Sequence, residues 1–379
     1  MSADKVRLAR AYLSRVAEPP APALAAFVAE VGPVVAAELV RAGDVPAAVD
    51  GQTSARRAED RAEEDLRRIG ELGGRLVIPE DEEWPGWQFT ALSLAASHGL
   101  RCGLEPLALW VRGTADLCEL ARRAVAVVGS RAASGYGQHI ATEFGYGLAE
   151  AGVVVVSGAA YGIDGAAHRG ALAAGGETIA VLACGVDVAY PAGHTGLLAR
   201  IREQGLVVSE YPPAHTPARH RFLTRNRLIA ALGDGTVVVE AGKRSGAKNT
   251  AASTSALGRV LMAVPGPVTS ASSVGCHELL RSGEAIAVSS VAEVIESTGR
   301  IGADLVESTR RSTGIGPPQG DAMRVHEALG LTAGRSAEAI AVESGVALPK
   351  VRALLPELEL AGLAARVEEG WQRRELQQW

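Results

Sequence analysis

The chain has 379 residues, a net charge of −5, 47% apolar residues and only 4% aromatics. Such a length exceeds one ordinary core, so two or three domains are expected. The acidic balance excludes a protein coated in positive charge and leaves room only for a local basic groove. The four cysteines, Cys102, Cys118, Cys184 and Cys276, are scattered. They lack the spacing of a metal cluster or a disulfide framework, so no metal is expected. No apolar run reaches the length of a membrane span. The N-terminus carries no signal-peptide core. A cytoplasmic protein without membrane contact is expected. Only Lys5, Lys243, Lys248 and Lys350 are lysines. The other basic residues are arginines, so their clustering carries more weight than any single one.

Residues 1–72 read as an N-terminal helical domain of Ala-rich amphipathic segments parted by Pro and Gly. The run Arg56-Arg57-Ala58-Glu59-Asp60-Arg61 mixes both signs, as on a solvated helix face. A strand signal lies around 73–79 and another spans 107–113. Between them Glu82-Glu83-Trp84-Pro85-Gly86-Trp87 reads as a turn. Trp84, Trp87 and Trp110 read as packing residues where this segment docks.

From Ala124 onward, short apolar runs alternate with helices. Strands are expected at 124–128, 153–157, 178–182, 206–210, 236–240, 260–264 and 285–288. Helices are expected at 134–151, 164–175, 195–204, 222–232, 247–258, 275–282 and 290–297. This pattern predicts an α/β domain over 73–297, built on one mostly parallel, doubly wound sheet covered on both faces. Ligands of such sheets bind outside the carboxyl ends of the strands. Residues 298–320, rich in Gly, Ser, Thr and Pro, read as a linker. Residues 321–379 read as three helices and a hairpin, a helix-turn-helix with a wing. Seven basic residues there face nine acidic ones. That balance favours a docking module over a grip on nucleic acid.

The strand-end turns carry the chemistry. Gly129-Ser130-Arg131 precedes a helix, where backbone N–H groups and the helix dipole suit a phosphate. The Ser hydroxyl and the Arg fork add donors. The spacing is not G-x-G-x-x-G and no ribose-binding acid follows, so no nucleotide cofactor is expected. In Ser157-Gly158-Ala159-Ala160-Tyr161-Gly162-Ile163-Asp164, Ser157 can bond backbone or ligand and Asp164 reads as a helix N-cap. His168 reads as a satisfied buried histidine. Residues 219–227 hold four arginines (Arg219, Arg221, Arg225, Arg227), the ring of Phe222 and no acid. Arg221 and Arg225 share a helix face. Clustered cations beside an aromatic ring suit a single-stranded nucleic acid: cations track phosphates and the ring stacks a base, for roughly 1–3 kcal/mol. For Arg225 and Arg227 a structural, inward role is the alternative, because the helix runs on into Leu228-Ile229-Ala230. Lys243-Arg244-Ser245-Gly246-Ala247-Lys248-Asn249-Thr250 lacks the P-loop spacing. It reads as a second anion cradle, with Glu240 bracing the loop through backbone N–H bonds. No catalytic set coheres in these turns. An enzyme of the nucleotide phosphoribohydrolase type is the alternative, because Gly233–Glu240 partly echoes the Pro-Gly-Gly-x-Gly-Thr-x-x-Glu loop of those enzymes.

These motifs, with Val237-Val238-Val239-Glu240-Ala241, Ala263-Val264-Pro265-Gly266 and Gly275-Cys276-His277-Glu278-Leu279-Leu280, stand in an order and spacing that resembles the DNA-processing protein DprA (Smf) family across roughly residues 70–297. The resemblance implies an extended Rossmann-like domain that binds single-stranded DNA. It implies protection of incoming strands during natural transformation, loading of the recombinase RecA onto them, and a homodimer. It also implies a SAM-like helical domain before the sheet and a winged-helix-like domain after it. Carried over by resemblance, Gly129, Ser130 and Arg131 contact the DNA backbone. Arg219, Phe222, Arg225, Asn226 and Arg227 line the same pocket, and Ser157 and Gly158 are read as further DNA-binding candidates. Ser245, Gly246, Lys248 and Thr250 form the second cradle. The family often reads Ser-Gly-Ser-Leu-x-Thr-Ala where this chain has Ser245-Gly246-Ala247-Lys248-Asn249-Thr250-Ala251.

Overall fold

Among the described residues, the apolar runs form one nine-stranded sheet. The structure, a computed structural model, describes residues 3–97, 103–299, 320–331, 333–360 and 362–374. The expected linker lies almost wholly outside these residues, as does Cys102. The chain divides into two compact units, within residues 1–304 and 305–379.

In the first unit the strands are β1 (Gly74–Val77), β2 (Leu109–Arg112), β3 (Ala124–Val128), β4 (Val154–Ser157), β5 (Thr178–Leu182), β6 (Leu206–Ser209), β7 (Gly235–Val238), β8 (Val260–Ala263) and β9 (Ile286–Ala287). Their order is β1-β2-β6-β5-β4-β3-β7-β8-β9. The pairs β1–β2 and β2–β6 are antiparallel, and β3 through β9 run parallel to one another. From β3 the chain builds outward through β4, β5 and β6, then returns to β7 on the other side of β3. The chains leaving β3 and β7 therefore diverge, and this switch point is where an open α/β sheet opens a crevice.

Five helices precede the sheet: α1 (Ala3–Val16), α2 (Pro22–Val31), α3 (Pro33–Ala42), α4 (Ala47–Thr53) and α5 (Ala62–Glu71). They are followed by α6 (Gly86–Ser97), α7 (Leu117–Ala121), α8 (Gly135–Glu150), α9 (Ile163–Ala173), α10 (Thr195–Gln204), α11 (Arg219–Leu232), α12 (Ala247–Ala256), α13 (Val274–Arg281) and α14 (Val291–Thr298). Side chains alternate along β3, so its two faces feed two cores. Ala124, Ala126 and Val128 pack with Phe89, Leu92, Leu228 and Ala251 from α6, α11 and α12. Val125 and Val127 pack with Phe144, Ala167 and Val294 from α8, α9 and α14. The N-terminal helices share a core with the sheet itself: Tyr12, Leu13, Val40 and Ile69 cluster with Trp110, Leu182 and Val207. Arg15, in a buried ion pair with Asp65 that joins α1 to α5, also donates from Nη2 to the Pro213 carbonyl at 3.1 Å and so ties the two parts further.

Two expectations change here. The turn expected over Glu82–Trp87 is present at Glu82 and Glu83, but Gly86 and Trp87 already open α6, because Pro85 begins a helix as readily as it ends one. Trp84 and Trp110 are buried, but Trp87 is 80% exposed and packs nothing away.

The second unit holds α15 (Asp321–Glu327), α16 (Ala337–Ser344), α17 (Leu348–Leu360) and the hairpin of β10 (Ala364–Val367) with β11 (Gly370–Arg373). Its own small core is Val325, Ile340, Val351, Leu355 and Leu358. Ser336 caps α16 by accepting from the Ala339 N–H, and Gly345 ends it in the left-handed conformation.

Candidate nucleic-acid interface

The crevice at the switch point is a cleft of about 490 Å³ between the turn after β3 and the loop after β7. Of the residues read as binding candidates, Gly129, Ser130, Arg131, Phe222, Arg225, Asn226, Ser245, Gly246 and Thr250 line it. Asp164, Leu223 and Arg244 line it too.

The first turn offers less backbone than its sequence suggests. The Ser130 N–H donates to the Glu240 carbonyl at 2.7 Å. The Ser134 N–H donates to Glu240 Oε2 at 2.9 Å and its hydroxyl to Oε1 at 2.6 Å. The Gly129 N–H helps hold Asp164. The fold thus uses these amides itself. What the turn presents is the Ser130 side chain and the exposed Arg131. Glu240, only 1% exposed, braces this turn and Ser272 rather than its own loop.

Arg131 stands over the Phe222 ring, 4.9 Å from its centroid. The Phe222 ring tilts against Tyr190 at 5.4 Å. A side pocket of about 50 Å³ continues from Arg131 and Phe222 past Tyr161 and Tyr190. Cation, apolar ring and further aromatic edges therefore meet at one end of the cleft. Tyr161 and Tyr190 went unnoticed in the sequence because neither belongs to an arginine cluster. Their position beside turns that follow parallel strands was the available signal.

The arginines of α11 divide. Arg219 is exposed, and among the described residues neither it nor Arg131, Lys243 or Arg244 joins an ion pair. Arg221 faces away from the cleft: Nε and Nη2 grip Glu18 at 2.7 and 2.9 Å. Burial works to raise the Glu18 carboxyl, but hydrogen bonds from Arg221, Arg56 and His220 outweigh it and hold the group at about 2. Arg225 lies beneath the cleft and is 4% exposed. Its Nη1 donates to the carbonyls of Gly158, at 3.0 Å, and of Val181. Burial lowers its guanidinium to about 10, with Asp164 opposing and Arg131 assisting, so it stays charged at neutral pH. Burial in turn raises the Asp164 carboxyl, against Arg225 and the amides around it.

Several binding candidates take structural places. Arg227 is 1% exposed and forms a two-pronged pair with Glu210 at 2.8 and 2.9 Å. Its helix face is packed, so it cannot reach a ligand in the cleft. Ser157 is fully buried and donates to the Val127 carbonyl at 2.6 Å. Gly158 serves by smallness: a Cβ there would meet the Arg225 guanidinium at 2.5 Å. Lys248 pairs with Glu278 at 2.6 Å, so its charge is partly answered on α13. Asn226 donates to Asn249 Oδ1 at 3.1 Å and joins α11 to α12. Ser245 accepts from the Ala247 N–H at 3.3 Å. The Asp164 side chain, read as an N-cap, instead accepts from the Gly158 N–H at 3.2 Å from inside the first turn of α9. His168 is buried with Nδ1 on Thr178 at 2.7 Å, and burial holds it neutral at about 3.

Residues 75–299 match the family described as DNA recombination-mediator protein A. The chain is 51% identical over 368 residues to a Mycobacterium tuberculosis protein bearing the name DNA processing protein DprA, covering 97% of this chain and 94% of the relative. It is 38% identical over 272 residues to Protein Smf of Escherichia coli, covering 71% of this chain and 72% of that one. The X-ray structure of DNA processing protein A from Streptococcus pneumoniae superposes with a TM-score of 0.63 at 30% identity, covering 79% of this chain and 100% of that one. With a family match across the central sheet and relatives this similar along most of its length, the chain belongs to the DNA recombination-mediator protein A family, DprA/Smf.

Proposed function

We propose that the protein binds single-stranded DNA in the cleft between β3 and β7, without catalysis, and serves as a mediator that protects the strand and helps load RecA recombinase during transformation or recombination. The observation that carries this reading is the meeting of Arg131, Phe222 and Arg244 on one open cleft. Exposed, unanswered cations suit phosphates, and a ring beside them suits a base. The family name supports a role in recombination, and the relatives' names support DNA processing. The protein works in the cytoplasm as a homodimer on this reading. Residues 1–72 act as a SAM-like helical domain, and 321–379 as a winged-helix-like docking domain.

The enzyme reading is disfavoured by the state of Glu240. Its carboxylate is buried and shared among Ser134 and Ser272, so it has little left to offer a substrate.

Fluorescence anisotropy with labelled oligo-dT and with a duplex, over a salt series, tests the proposal. Tighter binding of the single strand, weakening steeply with salt, is expected. Equal binding of both forms, or no salt dependence, refutes it.

A further inference from the structure

Helix α11 begins at Arg219 after Ala218, which has no side chain to cap it. The first turn of this helix carries Phe222, whose half-buried ring meets Arg131 and Tyr190. The next residue back, Arg221, is held far more firmly, and from outside the sheet. Glu18, just beyond α1, accepts from Arg221 Nε at 2.7 Å and His220 Nε2 at 3.0 Å through Oε1. Its Oε2 accepts from Arg221 Nη2 at 2.9 Å and Arg56 Nη2 at 2.6 Å. Arg221 completes its bonding on the Thr216 carbonyl at 2.7 Å and lies 4.8 Å over the Tyr211 ring. A negative charge at an uncapped helix N-terminus is also favourable in itself.

We propose that Glu18 is a positioning residue for the cleft: through it the N-terminal helices fix the first turn of α11, and so the Phe222 ring, where a base is to stack. The proposal rests on the single-strand reading above. Its consequence has an unusual sign. Removing a carboxylate makes the protein less negative, which by plain electrostatics strengthens attraction to DNA. Loss of positioning does the opposite.

The test uses the full chain and labelled oligo-dT. Glu18→Gln weakens binding about fivefold, a part of the stacking contribution, while the salt slope stays at the wild-type value because no phosphate contact is lost. Glu18→Asp recovers part of the loss. In a Phe222→Ala background the Glu18→Gln change adds nothing further, since the two act through one contact. In the DNA-free protein, Glu18→Gln speeds amide hydrogen exchange over residues 219–224 and leaves 228–232 protected. Arg56→Gln removes one donor at the same carboxylate and gives the same signs with smaller effect, so the question stays open to test if Glu18→Gln does not fold. Unchanged or tighter binding by Glu18→Gln, or a loss fully additive with Phe222→Ala, overturns the proposal. If the wild type shows no preference for single strands, the functional reading fails instead, and hydrogen exchange alone decides whether Glu18 braces the helix.

Discussion

Arg131, Arg219 and Arg244 differ from Arg221, Arg225 and Arg227 in partners, not in chemistry. The first three are exposed at the sheet's carboxyl edge and join no ion pair among the described residues. The second three are nearly or wholly buried. They bond Glu18, the Gly158 and Val181 carbonyls, and Glu210. The inward set builds the floor on which the outward set can act. The second unit extends the contrast, because Lys350 and Arg352 on its α17 already pair with Asp321 and Glu338. Availability of charge, rather than its presence, separates a phosphate track from a structural network.

The largest expected effect lies in the inward set. Arg227→Ala strands Glu210 in the core and costs about 3–5 kcal/mol of stability. Replacing both partners, Arg227→Met with Glu210→Leu, costs much less because no buried charge is left behind, as urea unfolding of the two variants will measure. A binding defect in that folded double variant with a flattened salt slope would break the division between the two sets. The next effect concerns Glu18. Its folded value of about 2 lies below the usual 4.5, so its contribution is complete above pH 4.5 and is lost as the pH falls toward 2. After allowance for screening at this partly exposed group, about 2 kcal/mol is at stake. Thermal melts of Glu18→Gln should lack this part of the acid sensitivity.

On the outward side, Phe222→Ala is expected to weaken oligo-dT binding by about 1–3 kcal/mol with little change of slope. Arg131→Ala is expected to flatten the slope by about 0.7, one single-strand phosphate contact. Anisotropy titrations over a salt series measure both, and equal slope losses would erase the distinction between ring and cation. The smallest effect belongs to the second unit: Lys350→Gln with Arg352→Gln should leave the slope unchanged.

Most of the sheet was legible because buried parallel strands are continuous apolar runs, and the turns that follow them stand out by contrast. Val125–Val128, Val154–Val156 and Val237–Val238 needed no tertiary knowledge. The direction of each arginine was not legible, since it depends on acids and carbonyls that only the fold brings near. Glu18 claims Arg221 from the other side of the sheet's edge, and Glu210 claims Arg227 from the end of β6. The backbone cradle at Gly129–Ser130 was overread for a similar reason: Glu240, more than a hundred residues later, takes the Ser130 amide on its carbonyl, and Asp164 takes that of Gly129. Helix α6 was missed because Trp84-Pro85-Gly86 punctuates the chain as a turn does, and its apolar residues follow no helical stripe.

The most direct measurement is a crystal structure of the full chain with a short oligo-dT. The strand should cross the cleft with phosphate oxygens within hydrogen-bond distance of Arg131 and Ser245 and a base against Phe222. A strand bound instead on α17 and the β10–β11 hairpin, with the cleft empty, would contradict the assignment.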